Sequence, residues 1–326
     1  MVILTLLFLT LGLIANQAQP TNHLQLNLQV SYLLAGLFGL LALGLTYFTY
    51  RVYAAEYYMR QAQLALQRQD AKATYNYHLK AIKLMPYLAA YHISLSQIDL
   101  NLASGLSQKQ NLSEEDKKQI TALIQQAIAE AKTAIQLQPN NSGLWQNLAL
   151  IYRNLINIAQ NADQFALQYY AQAIKLDPAN PLLHVNYGGL YYQLAQNTKD
   201  KTVSQKLLNQ AIQQFQTAIQ LKPNYANAYY NLAKAYELLE DYPSAYQAMQ
   251  QVIANLDSNS PDYNLAKEEL KKIEAKLPKQ TQNPQPNTQN QKPKSSQLAQ
   301  PSPLPSPLPN GPIQLPQEST STPANH

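Results

Sequence analysis

Cysteine is absent from the 326 residues. That excludes a disulfide framework, a thiolate metal site and a cysteine nucleophile. Charge is scarce too: Asp, Glu, Lys and Arg make up 13% of the chain, and the net charge is only +5. The basic residues are scattered, whereas a nucleic-acid binder concentrates them on one face, so no nucleic-acid partner is expected. Glycine occurs nine times and nowhere forms a P-loop or a dinucleotide fingerprint. There is no G-x-S-x-G elbow. The five histidines, His23, His78, His92, His184 and His326, have no metal-ligand spacing. Gly188-Gly189 is no phosphate loop, and Glu114-Glu115-Asp116 reads as a solvated helix start. No catalytic residue, cofactor or metal is expected, and the chain reads as a non-enzyme.

The sharpest absence is local. Met1 to Tyr50 contains no Lys, Arg, Asp or Glu. Within it, Val30–Tyr50, VSYLLAGLFGLLALGLTYFTY, has about the twenty apolar residues that cross a bilayer. Each central Leu or Phe favours insertion by about 0.3–0.6 kcal/mol. Tyr47, Tyr50, Tyr53, Tyr57 and Tyr58 crowd its exit as an interfacial belt would. Met1–Ala15 is shorter and lacks the basic start of a signal peptide. It is expected to form a second span over about 1–18, with a signal-peptide core as the alternative. His23–Val30 alternates polar and apolar residues, which suits a short strand or an interfacial segment. Residues 1–50 are thus a membrane region with a lipid bilayer as partner.

What is present in quantity is a repeat. AIKLMP ends at Pro86, AIQLQP at Pro139, AIKLDP at Pro178 and AIQLKP at Pro223. With proline as position 32, a last unit runs from Ala226 to about Asn259 with no gap. Tyr229, Leu232, Ala233 and Tyr236 then fall at positions 4, 7, 8 and 11, and Ala245 and Met249 at 20 and 24. The third unit has Trp145, Leu148, Ala149 and Tyr152, then Ala166, Tyr170 and Ala173. The fourth has Tyr187, Gly188 and Tyr191, then Ala211, Phe215 and Ala218. The second keeps Leu95, Ser96, Ala127, Ala131 and Ala134. The first is the most degenerate, with Tyr58, Ala62, Ala65, Thr74, His78 and Ala81.

These positions resemble the tetratricopeptide repeat, a 34-residue helix–turn–helix unit. The resemblance implies an all-α fold: about five stacked hairpins over residues 51–277, following one or two transmembrane helices. Small residues at 8, 20 and 27 let the two helices approach, and large ones at 4, 7, 11 and 24 fill the layer between. Proline at 32 stops helix B. No unit buries its apolar face alone, so neighbours must stack. The prolines are 53, 39 and 45 residues apart, and every excess falls between positions 11 and 20, at a hairpin tip. Ser113 followed by three acids predicts an early start for one helix B, near Glu114. Pro261–Leu277 is an amphipathic capping helix. No Gly or Pro separates Gly44 from Pro86, so the span is expected to run straight into the first repeat as a stiff stalk; the rival is a break near Arg51. Residues 278–326 are rich in Pro, Gln and Ser and read as a disordered spacer with polyproline II character. A PxxP ligand is the alternative there.

The resemblance further implies a concave groove lined by helix A positions 2, 5, 9 and 12. These are Ala90, Ile93, Gln97 and Leu100; Gly143, Gln146, Leu150 and Arg153; Leu182, Val185, Gly189 and Tyr192; and Asn227, Tyr230, Lys234 and Glu237. The expected partner is a protein or extended peptide, with Arg153, Tyr192, Tyr230 and Lys234 as contacts. The function is then that of a membrane-anchored scaffold. A second arrangement is similar: the C-terminal end of O-antigen ligase or polymerase-like membrane glycosyltransferases, of which this chain would be a part or split subunit. Topology stays open. Arg51, Arg60 and Arg68 follow the span and place the repeats in the cytoplasm by the positive-inside rule. The low charge, the tail and the glycosyltransferase similarity point outward.

Overall fold

The computed structural model describes residues 28–278; the expected first span at 1–18 and the tail from residue 279 lie outside them. Eleven helices follow one another in the described residues: α1 Leu28–Gln67, α2 Ala71–Leu84, α3 Ala89–Ser107, α4 Glu114–Leu137, α5 Ser142–Asn154, α6 Ala162–Leu176, α7 Pro181–Asn197, α8 Lys201–Leu221, α9 Ala226–Leu238, α10 Tyr242–Ala254 and α11 Pro261–Glu274. They pair as five hairpins, α1/α2 to α9/α10, each stacked on the next, and α11 packs on α10. This is an all-α helical-hairpin solenoid.

The template residues behave as the repeat requires. Ala81, Ala134, Ala173 and Ala218, all at position 27, are fully buried. Position 8 is most demanding in the fourth hairpin. A Cβ on Gly188 would lie 2.6 Å from the ring of Phe215, which is itself fully buried. Only glycine lets that ring approach the backbone so closely.

The stop signal works one residue earlier than a plain proline clash would. Helices α2, α4, α6 and α8 all end at the leucine of A-I-x-L-x-P. The residue before the proline then turns extended: Met85, Gln138, Asp177 and Lys222 have φ between −131° and −141° and ψ between 69° and 89°. A following proline excludes helical geometry from its predecessor. The proline carbonyl has a use as well. His92 and His184 donate through Nε2 to the carbonyls of Pro86 (2.9 Å) and Pro178 (3.0 Å), and Trp145 Nε1 donates to Pro139 (2.7 Å). Each donor stands at position 4 of the following repeat, so hairpins are latched by side chains that were expected only to fill space.

The insertions form hairpin tips. Helix α4 starts at Glu114, with a capping box between Ser113 and Asp116. The third hairpin's tip instead makes irregular turns with Asn157 and Asn161 at positive φ. At the other end, α1 passes Arg51 without a break and supplies helix A of the first hairpin. Leu28–Val30, read as part of a strand or interfacial segment, already belong to this helix. It is the one helix among the described residues long and apolar enough to cross a membrane. Leu37, Leu40, Leu41 and Leu43 stand exposed along it.

Candidate functional site

The A helices share one face of the solenoid, and α7 touches α9 directly. Of the expected lining residues, Leu150, Leu182 and Tyr230 stand exposed, and Arg153, Tyr192 and Lys234 are half-buried. Val185 was also expected to line the groove. It is buried instead, packed with Ala218 and Ala228, because three small or β-branched residues close that seam between hairpins.

The four expected contact residues divide into two groups. Arg153 reaches from α5 to α7: its Nε donates to Gln193 Oε1 (2.8 Å) and Nη2 to the Gly189 carbonyl (3.4 Å). A Cβ at Gly189 would touch both terminal nitrogens at 3.4 Å, so glycine leaves the flat guanidinium uncovered. Burial pushes the Tyr170 hydroxyl above its ordinary value, and the nearby Arg153 charge opposes that shift without making a well-formed hydrogen bond. Arg153 has neutral partners and forms no ion pair with a carboxylate of the described residues.

Lys234 is the opposite case. Its Nζ lies 2.7 Å from Glu237 and 3.8 Å from Glu269, and Lys276 also reaches Glu237 at 3.6 Å. Tyr230 donates its hydroxyl to Glu269 at 3.2 Å. The capping helix therefore closes this end of the face into a neutralised network. Tyr192 lies between the two groups; burial raises its hydroxyl, with the charges of Lys234 and Glu237 acting in opposite senses.

A second polar cluster escaped the sequence reading. In the second hairpin His92 Nδ1 lies 2.5 Å from Glu130, and Ser96 donates to the Ala127 carbonyl at 2.7 Å. Asp99 is fully buried and neither carboxylate oxygen has a hydrogen-bond partner. Burial, and then the Glu130 charge, push its carboxyl up to about 7. The available signal was its register: Asp99 stands at position 11, where three other units carry tyrosine. Among the described residues no group of three or more His, Asp or Glu could hold a metal ion. On the tip edge, a cleft of about 520 Å³ lies between the third and fourth hairpins, lined by Ile156, Leu167, Leu194 and Leu207 with Asp163 at its rim.

Known proteins bear on this arrangement. The mouse and human proteins named Protein O-mannosyl-transferase TMTC3 are 27% and 29% identical over 137 and 138 residues. The match takes in 41% of this chain, which spans only 14% of the length of those relatives. Among solved structures, MamA is matched at 16% identity and a TM-score of 0.44, over 62% of this chain and 91% of MamA. PilF of Pseudomonas aeruginosa is matched at 19% and 0.46, over 69% and 86%. YrrB, described as a TPR protein with an unusual peptide-binding site, is matched at 18% and 0.42, over 66% and 90%. A family model covers more than half of the chain, residues 96–278, from the second hairpin to just beyond the capping helix. The chain belongs to that family, the regulators of microtubule dynamics 1–3.

Proposed function

We propose that this protein is a membrane-anchored scaffold that holds an extended peptide on the shared face of its A helices and catalyses no reaction. One observation carries the reading. Arg153 presents a guanidinium with neutral partners one turn after the exposed Leu150, and the exposed Leu182 stands two turns before its partner Gly189 on α7. A planar guanidinium binds a carboxylate with two parallel hydrogen bonds. The fitting ligand is a peptide with one carboxylate and a neighbouring apolar residue. Lys234, already paired, is a secondary contact at most. The family's name makes a microtubule protein the first partner to try.

Membrane anchoring rests on α1. From Gly36 to Tyr50 it is apolar, exposed and uncharged, and the Lys/Arg count after it favours cytoplasmic repeats. The full chain should be screened against acidic peptides. Arg153→Gln should weaken a bound peptide about tenfold, the scale of one hydrogen bond to a charged group. Blocking the peptide carboxylate as an ester should do the same. Binding insensitive to both changes sinks the reading. The side of the membrane is read by Ser302→Cys, a unique thiol in a chain without cysteine. A membrane-impermeant maleimide should label it only after lysis.

A second reading is favoured by one observation, the partial match to O-mannosyl-transferase TMTC3. The repeats would then serve a membrane glycosyltransferase that carries its chemistry on another segment or subunit. Co-purification of a many-spanning transferase with the full chain would favour it. Capture of a soluble peptide would favour the first.

A further inference from the structure

We propose that the loop joining the first two hairpins, Met85–Leu88, seats on the lipid surface as a second membrane contact. The proposal rests on the reading of α1 as a membrane span. It starts from a register comparison. The same loop in the later hairpins carries small or amide residues at position 33: Asn140, Ala179 and Asn224. In the first it reads Met-Pro-Tyr-Leu, with Tyr87 at that position. Tyr87 is 76% exposed and Leu88 38%. Leu88 also fills the cap position of α3 and makes no side-chain cap. Of its equivalents, Asn141 and Asn180 each accept a backbone N–H at 3.1 Å; Tyr225, the third, makes no cap either but is half-buried against Val185, Ala218 and Ala228. An apolar residue thus replaces a helix cap at an exposed site, which folding alone does not favour.

The packing puts this loop at the level of the bilayer. Helix α2 runs antiparallel to α1, and the Arg51 guanidinium donates to the Leu84 carbonyl at the end of α2. Arg51 is the first charged residue of the chain, so α2 ends where the uncharged stretch begins. The next helix leaves in the other direction. Tyr91, in the first turn of α3, donates to Glu56 at 2.8 Å, about 7.5 Å beyond Arg51 along α1 at 1.5 Å per residue. The loop between must therefore lie on the apolar side of both contacts, beside the exposed Tyr47 and Tyr50.

Charge agrees with this placement. From Arg51 to Ile98 there are six basic residues and two acidic ones, whereas the whole chain has 24 and 19. Lys83 is exposed one turn before the loop, and Lys80 lies over the rings of Tyr58 and Tyr77. Tyrosine at an interface with lysines reaching headgroups is a recognised anchoring combination. Two contacts, a span and a loop, would fix the tilt of the first hairpin against the bilayer.

The test uses the full chain in vesicles of phosphatidylcholine and phosphatidylserine, with one cysteine at a time labelled by an environment-sensitive dye. The sites are Tyr87→Cys, its register equivalent Asn224→Cys, and Leu41→Cys on α1. Quenching by lipids labelled at the headgroup and along the chain reports depth. The expected result is deep quenching at 41. At 87, shallow quenching should be several-fold stronger than at 224, with a blue-shifted emission. Deep quenching at 41 with equal, weak quenching at 87 and 224 overturns the loop contact and leaves the span standing. No quenching at 41 overturns the span and the loop contact together.

Discussion

The second and fourth hairpins place different residues on one template. Positions 4, 8 and 11 are His92, Ser96 and Asp99 in the second, and His184, Gly188 and Tyr191 in the fourth. Both histidines latch onto the preceding proline carbonyl. Beyond that the hairpins diverge. In the fourth, Tyr191 donates to Tyr187 at 2.7 Å, their rings lie 4.7 Å apart, and Phe215 fills the space left by Gly188. In the second, Ala131 stands where Phe215 does, and the interior holds an unpartnered carboxylate. Helix geometry and the latch are therefore common property, whereas the filling of the layer is local. The difference locates stability in the aromatic hairpin and sensitivity to pH in the polar one.

The comparison can be broken most severely at Phe215. Phe215→Ala leaves a cavity that the glycine opposite cannot close, and should cost about 3–5 kcal/mol in denaturant unfolding. Next is Asp99. Asp99→Leu removes a buried charge and should stabilise the protein by about 1–3 kcal/mol at pH 8. The sign with pH is set by the raised carboxyl, from an ordinary 3.8 to about 7. Its contribution to stability is complete below the ordinary value and is lost as pH rises through 7. Melting temperatures taken from pH 4 to pH 8 should therefore fall in the parent through Asp99, and that part of the fall should vanish in Asp99→Leu. If both proteins show the same pH profile, the carboxylate is not strained.

The latch is a smaller matter. Trp145→Phe keeps the ring and loses only the N–H to Pro139, so it should cost about 1 kcal/mol, read by loss of far-ultraviolet ellipticity in urea. The smallest effect on stability is expected at Arg153. Arg153→Gln, half-buried with neutral partners, should shift stability by no more than about 0.5 kcal/mol, even though it removes the proposed ligand contact. A large loss would make Arg153 a structural residue.

The hairpin register was legible because small residues recur wherever two backbones must meet, and a proline closes four of the units. The unbroken α1 was legible from the lack of Gly and Pro between Gly44 and Pro86. Asp99 was not, because a single polar residue at position 11 leaves the spacing of small residues and proline that marks the repeat unchanged. The pairing of Lys234 was hidden for another reason. Glu269 lies 35 residues downstream in the capping helix, and no local pattern links the two. Arg153 and Lys234 look alike in sequence, and only packing shows which keeps its charge available. The proline latch was equally hidden, since it joins position 4 to a carbonyl of the preceding unit.

Helix α1 is continuous from Leu28 to Gln67, and an α-helix is stiff in torsion as well as in bending. The azimuth of the whole array is then set by the residue count of one segment. Inserting a single alanine between Arg51 and Ala55 would turn everything beyond it by about 100° about the helix axis. The compass bearing of Arg153 is thus encoded some hundred residues before it, in a stretch that no ligand needs to touch.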